Sequence, residues 1–267
     1  MGPMPQPNWP KTLLRVLGRR LAKTRGRISI AGPAAPIIIH RDRWGIPHVE
    51  AGSDHDAWFG LGFCHAQDRA FQLETLLRAG RGTLAEMAGP AALPIDRLSR
   101  RLGFARTAAR QVMLVAPDVR ETLEAYVGGV NAGLAEARRP HELVLLRRAP
   151  TTWRVTDVLA FAGLQSLALS ANWDSELARF KVLTEDGPRA LAAIDPTYPE
   201  WHPVTSPVGA VAGPPPGALA ADLAALTGLV GGAGASNGWA ISGSRTASGH
   251  PILANDPHLA SQLPAQW

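Results

Sequence analysis

The sequence predicts an α+β chain that is mostly α-helical and closes on a β-hairpin. Three observations predict it. Apolar residues recur at helical spacing between about residues 53 and 183. A stretch rich in Pro, Gly and Ala then interrupts the pattern over 201–235. Beyond it, two short strand-like runs flank a Gly- and Ser-containing loop. With 267 residues, 46% hydrophobic and 18% charged, the composition is that of a soluble globular protein with a sizeable core. No window holds the roughly 18 consecutive apolar residues of a membrane span, so no transmembrane helix is expected.

The elements follow in order. Residues 1–35 are a basic arm. Pro36-Ile-Ile-Ile39 is a β-branched run. Arg41-Asp-Arg-Trp-Gly-Ile-Pro47 reads as a turn into a second strand at His48-Val-Glu50. Ser53 or Asp54 can cap a helix that places Trp58, Leu61, Cys64 and His65 near one face and runs on to Gly80 and Gly82. Further helices are expected over Arg106–Val115, Asp118–Ala137, from Thr156-Asp157 through 158–169, and over Asp174–Leu183. Residues 36–200 thus form a helical region. Residues 201–235 are a spacer with room for a short helix at 218–226. Residues 236–267 open a new unit, with strands at Trp239–Ser242 and Pro251–Ala254. A lone hairpin is marginal in water, so this one needs strands from elsewhere, and the chain reads as truncated.

The net charge of +5 is local. Lys11, Arg15, Arg19, Arg20, Lys23, Arg25 and Arg27 stand in the first 27 residues with no acid, and the rest holds 20 basic against 22 acidic side chains. A nucleic-acid partner is not expected, because such binders carry basicity with stacking aromatics on the fold itself. Arg residues break up the arm's apolar positions, so it lacks the continuous apolar segment of a signal peptide. It suits a short basic amphipathic helix, lying on the protein surface or touching anionic lipid. The single cysteine, Cys64, excludes an internal disulfide and a Cys-based zinc site. Its apolar neighbourhood marks a buried structural thiol.

Gly234-Ala-Ser236-Asn-Gly238 spells the G-x-S-x-G of a nucleophile elbow, which requires a strand before the serine and a helix after it. Here a Gly/Ala spacer precedes and a strand pattern follows. Only 31 residues remain for the partners, among them His250, His258 and the sole acid Asp256. The elbow fails on context. A serine between a loose spacer and a strand suits self-cleavage instead. Its hydroxyl attacks the preceding carbonyl, and hydrolysis of the ester leaves Ser236 with a free α-amine. That amine, with a pKa of about 7.7–8.0, is a base beside its own hydroxyl. A plain serine in a Gly-rich linker is the other reading of the same residues.

Ile39-His-Arg-Asp-Arg-Trp-Gly-Ile-Pro-His48, Gly62-Phe-Cys-His-Ala-Gln-Asp-Arg-Ala-Phe-Gln-Leu-Glu74 and Arg81-Gly-Thr-Leu-Ala-Glu86 resemble motifs of penicillin acylase α chains. Ser236-Asn-Gly-Trp-Ala-Ile-Ser-Gly, continuing to Ile252-Leu-Ala-Asn-Asp-Pro-His258, is similar to the opening of the family's β chain. The resemblance implies an N-terminal-nucleophile (Ntn) hydrolase with a four-layer αββα fold, of which this chain holds the α part, the spacer and the start of the β part. It implies hydrolysis of linear amides in penicillin-, cephalosporin- or N-acyl-homoserine-lactone-like small molecules. Ser236 would be the nucleophile. His258 stands where cephalosporin and acyl-homoserine-lactone acylases have a histidine near the α-amine. Glu176, in Asn172-Trp-Asp-Ser-Glu-Leu177, resembles a glutamate that helps bind a structural Ca2+. The remainder of the β chain would be the partner after processing. Asp42, Asp68, Arg69 and Glu74 are expected to form buried ion pairs. The family is often exported to the periplasm, whereas the missing signal pattern points to the cytoplasm.

Two departures bear on activity. Ala235 precedes the nucleophile where the family often has Gly, which predicts slower self-cleavage. The family's oxyanion asparagine and backbone donor are absent, and losing even one such donor costs about 10²–10³ in rate. The 267 residues alone are therefore expected to hydrolyse nothing. A truncated, non-catalytic relative, such as a pseudogene product, is the alternative.

Overall fold

The computed structural model describes residues 21–169, 173–194, 201, 218–230 and 236–258. The expected arm before residue 21 and most of the spacer lie outside the described residues. The chain divides into two compact units between Leu164 and Gln165, and each has its own character.

The first unit opens with β1 (Ile38–Arg41) and β2 (Pro47–Glu50), antiparallel, pairing Ile38 with Glu50 and Arg41 with Pro47. Their turn is built by Asp42, whose Oδ1 accepts from the Trp44 and Ile46 backbone N–H groups at 2.8 and 3.0 Å. The backbone at Gly45 is left-handed (φ 81°), the conformation glycine permits at least cost. These hydrogen bonds hold the Asp42 carboxyl below its usual range, against the opposing effect of desolvation.

α1 (Asp54–Arg81) starts where Ser53 Oγ accepts from Asp56 N at 3.2 Å and stops at Gly82, whose φ of 69° lets the chain leave the helix. Asp54 and Asp56 in its first turn and Arg78 and Arg81 in its last complement the helix dipole. The helix kinks at Arg69 (φ −132°, ψ 23°), directly after Gln67 and Asp68, whose side chains hold the Arg41 guanidinium. α2 (Ala85–Ala88), α3 (Leu93–Leu102) and α4 (Phe104–Gln111) follow, then the long α5 (Pro117–Glu136), α6 (His141–Leu145) and α7 (Val155–Leu169).

The core sits between α1 and α5. Ala66, Leu77, Val127, Val130 and Trp153 are buried together, with Leu73, Tyr126, Leu134, Val155 and Val158 packed around them. Each large apolar side chain so buried contributes about 1.5–3 kcal/mol. Glycines set the closeness of the two helices. A Cβ at Gly62 would strike the Tyr126 carbonyl, and one at Gly129 would strike that of Phe59. The buried face of α1 is Phe59, Phe63, Cys64, Ala66, Ala70 and Leu77, whereas Trp58 is exposed, so the face expected from Trp58 and Leu61 is rotated. Cys64 is fully buried as expected, and burial pushes its thiol up to about 11.

Of the expected buried ion pairs only Glu74 makes one. It is 1% exposed, lies 2.6 Å from Arg78 Nε, and accepts from Thr151 N and Thr151 Oγ1 at 2.7 Å each. Asp68 is exposed and pairs with Arg41 at 2.8 Å, and Asp42 serves the turn. These two sit at the surface because the β1–β2 hairpin, not the core, supplies their partners.

In the second unit, α8 (Trp173–Glu185) is followed by α9 (Pro188–Ile194) and α10 (Leu219–Val230). β3 (Asn237–Ile241) and β4 (Ile252–Asp256) then form an antiparallel pair, with Asn237 opposite Asp256 and Ile241 opposite Ile252. Its residues are exposed or half-buried throughout. The fold is thus mostly helical with two small antiparallel sheets, as the sequence predicts. Among the described residues no helix is long and apolar enough to cross a membrane.

Candidate active site

The β3–β4 register brings Ser236 and His258 together. Ser236 immediately precedes β3, and His258 lies two residues past the end of β4. Because Asn237 pairs with Asp256, the residues just outside that pair face each other across the open end of the hairpin. The His258 backbone N–H donates to Ser236 Oγ at 3.1 Å. The serine hydroxyl therefore has a fixed main-chain donor aimed at its oxygen. The imidazole of His258 turns to its own strand, with Nε2 2.8 Å from Asp256 Oδ2. Its side chain is half-exposed.

The far end of the hairpin is braced from within. Ser242 Oγ accepts from Ser244 N, Thr246 Oγ1 donates to the His250 carbonyl at 2.8 Å, and Gly249 takes the left-handed backbone (φ 73°) that closes the loop. His250 N in turn donates to Ser248 Oγ at 3.3 Å. The strand that follows Ser236 is the arrangement the sequence predicts, and it is incompatible with the helix an elbow requires.

Glu176 lies on α8 with its side chain exposed. A hard cation such as Ca2+ wants six to eight oxygens, and among the described residues no three His, Cys, Asp or Glu side chains converge.

A groove of about 680 Å³ lies in the first unit, between Gly32, the start of α1 and the first half of α5. It has carboxylates at Asp54, Asp118, Glu121 and Glu124 and the buried ring of Phe59 in its wall. Sequence reasoning misses it, because its walls come from segments as far apart in the chain as Gly32 and Gly128 and no motif marks them.

The family model for penicillin amidase matches residues 36–267, and the chain belongs to that family. The penicillin acylase 2 proenzyme of Pseudomonas sp. strain SE83 is 37% identical over 96% of this chain and 34% of its own length. The acyl-homoserine lactone acylase QuiP of Pseudomonas aeruginosa is 35% identical over 92% of this chain and 30% of its own. The chain thus spans about a third of the curated relatives it matches. Among solved structures, the thermostable penicillin G acylase from Alcaligenes faecalis aligns over 66% of this chain and 98% of that chain, with TM-score 0.50 and 28% identity. An amidase-type hydrolase is therefore the class of enzyme to which the chain is related.

Proposed function

We propose that this chain is the leading part of an amide hydrolase precursor with the four-layer αββα Ntn fold, cut by its own Ser236. In the first reaction Ser236 Oγ attacks the Ala235 carbonyl carbon. The bond to the Ser236 nitrogen breaks, the hydroxyl proton passes to that nitrogen, and an ester joins the two segments. Water then hydrolyses the ester, releasing an Ala235 carboxylate and a Ser236 with both hydroxyl and free amine.

In turnover the same hydroxyl attacks a substrate amide while the α-amine takes its proton and passes it to the leaving amine. Water then releases the acyl group. The observation that carries this reading is the 3.1 Å hydrogen bond from His258 N to Ser236 Oγ. A main-chain donor in that position orients the serine oxygen and favours loss of its proton as it attacks. In this reading the His258 imidazole orients the new amine. The names of the relatives support small linear amides of the penicillin and acyl-homoserine-lactone kind as substrates. Glu176 supplies one ligand of a structural calcium whose other oxygens come from polypeptide outside these 267 residues.

The test is intact mass and N-terminal sequencing of the protein made from the complete reading frame, beside Ser236→Ala. A chain beginning at Ser236, absent in the variant, is the expected result. A single uncut chain in both would sink the proposal and leave a non-catalytic relative.

A further inference from the structure

The groove beside Gly32 combines negative charge with an apolar stretch of wall. Asp54, Asp118, Glu121 and Glu124 line it, with no Lys or Arg among them. Asp54 and Asp118 stand in the first turns of α1 and α5, where a carboxylate offsets the positive end of the helix. Glu121 and Glu124 lie beyond that turn and have no such role. Spaced three apart, Asp118, Glu121 and Glu124 form one ridge of like charge, which costs stability rather than adding it. Among the described residues none of these four carboxylates is in an ion pair. The apolar wall is the buried Phe59 ring, which lies against both Gly32 and Gly128, together with Val119, 47% exposed.

The complementary charge stands in the same chain. Residues 1–20 carry Lys11, Arg15, Arg19 and Arg20 with no acid, interleaved with Leu13, Leu14, Val16 and Leu17. They lie outside the described residues, which start at Leu21, and Leu21 is 77% exposed. From Leu21 to Gly32 in the groove wall the chain spans at most about 36–40 Å, even fully extended. A tether this short gives an effective concentration of about a millimolar, so a contact with a Kd of that size is already half formed.

We propose that residues 11–20 seat in this groove, with their basic side chains on the carboxylates of α1 and α5 and their Leu and Val side chains against Phe59 and Val119. An anionic lipid surface would satisfy the cations of the arm but leave the carboxylates of the groove facing one another. The groove satisfies both. The arm is then an internal strap that ties the segment before β1 to the helix pair.

The experiment uses protein from the complete reading frame, treated with a water-soluble carbodiimide, which joins an amine to a carboxylate in direct contact. Linked peptides are identified by mass spectrometry. Lys11, and the amines supplied by Arg15→Lys and Arg19→Lys, are expected to link to Asp54, Asp118, Glu121 or Glu124. In a mixture of nitrogen-14 and nitrogen-15 protein, the links should join peptides of one isotope only. Trypsin should cut within the arm about tenfold faster in the double variant Glu121→Gln, Glu124→Gln. Glu136→Gln, on α5 but outside the groove, should leave that rate unchanged. Arm links that are absent, or scattered over carboxylates outside the groove, overturn the proposal, as does a trypsin rate indifferent to the double variant. Links of mixed isotope would make a second copy the occupant and overturn it too. Protection of the arm that arises only with phosphatidylserine-containing vesicles would assign the arm to lipid instead.

Discussion

Single carboxylates do much of the work of joining distant segments. Asp56 Oδ1 and Oδ2 accept from Ala34 N and Ala35 N at 2.9 and 3.0 Å, tying the segment before β1 to the head of α1. The bond from Ala34 and the contact with His55 hold its carboxyl below the usual range. Asp96 does the same for Leu84 N and Ala85 N, at 2.7 and 2.8 Å. Glu74 is the most demanding case, because it is buried with Arg78 and also satisfies the Thr151 backbone. Removing it takes the buried acceptor from Arg78 Nε and from the Thr151 N–H, and leaves the guanidinium only its exposed pair with Glu86 and its contact with Thr151 Oγ1. Glu74→Ala is expected to cost about 3–5 kcal/mol, read as a lower midpoint in urea denaturation. A loss below about 1 kcal/mol would mean that water replaces the carboxylate. The sequence marks Glu74 through its motif and Ser53 through its position before Asp54, but not Asp56 or Asp96. Their partners are backbone N–H groups 11 to 22 residues away, and no side-chain pattern encodes a backbone donor.

At the scale of elements, helices are legible in the sequence where apolar spacing and punctuation agree. Ser53 and Gly82 bound α1 because one offers a side-chain acceptor and the other a left-handed exit. α3 (Leu93–Leu102) is absent from the sequence reading. Its Pro94 stands in the first turn, where the missing N–H costs nothing, so the proline that suggests a break opens a helix. The strands of the hairpin match their expected bounds to within two residues, since Asn237 and Asp256 extend the ladder past its apolar centre. The rotated face of α1 has a physical cause in α5. Gly129 and Gly133 let that helix approach the Phe59 and Phe63 backbone, which buries those rings and leaves Trp58 outside. A methyl at Gly129 would have to displace the Phe59 backbone. Gly129→Ala is therefore expected to destabilise by about 1–3 kcal/mol through overpacking, measured as a fall in Tm. Gly45→Ala, where a Cβ meets nothing within 4 Å, serves as a control for turn strain alone. A Gly129→Ala protein as stable as the parent would show that the two helices can slide apart at no cost.

For the molecule as a whole, the two units differ in how completely they bury what they carry. The first has a contiguous core between α1 and α5, whereas β3 and β4 expose Trp239 by 54% and Leu253 by 80%. Two strands without a covered face rarely hold together in water. Relatives are about three times as long as the matched region, and added strands would give the hairpin both an edge partner and an apolar cover. Hydrogen exchange on the 267-residue chain should therefore find the amides of α1 and α5 protected and those of β3 and β4 near the unprotected rate. In protein from the complete reading frame the hairpin amides should slow by orders of magnitude. Amide hydrolysis should appear only in that longer protein, because Ser236 and His258 keep their 3.1 Å contact only while the hairpin persists. A slowly exchanging hairpin in the 267-residue chain would show that β3 and β4 are held by what these residues already contain, and the need for further strands would fall.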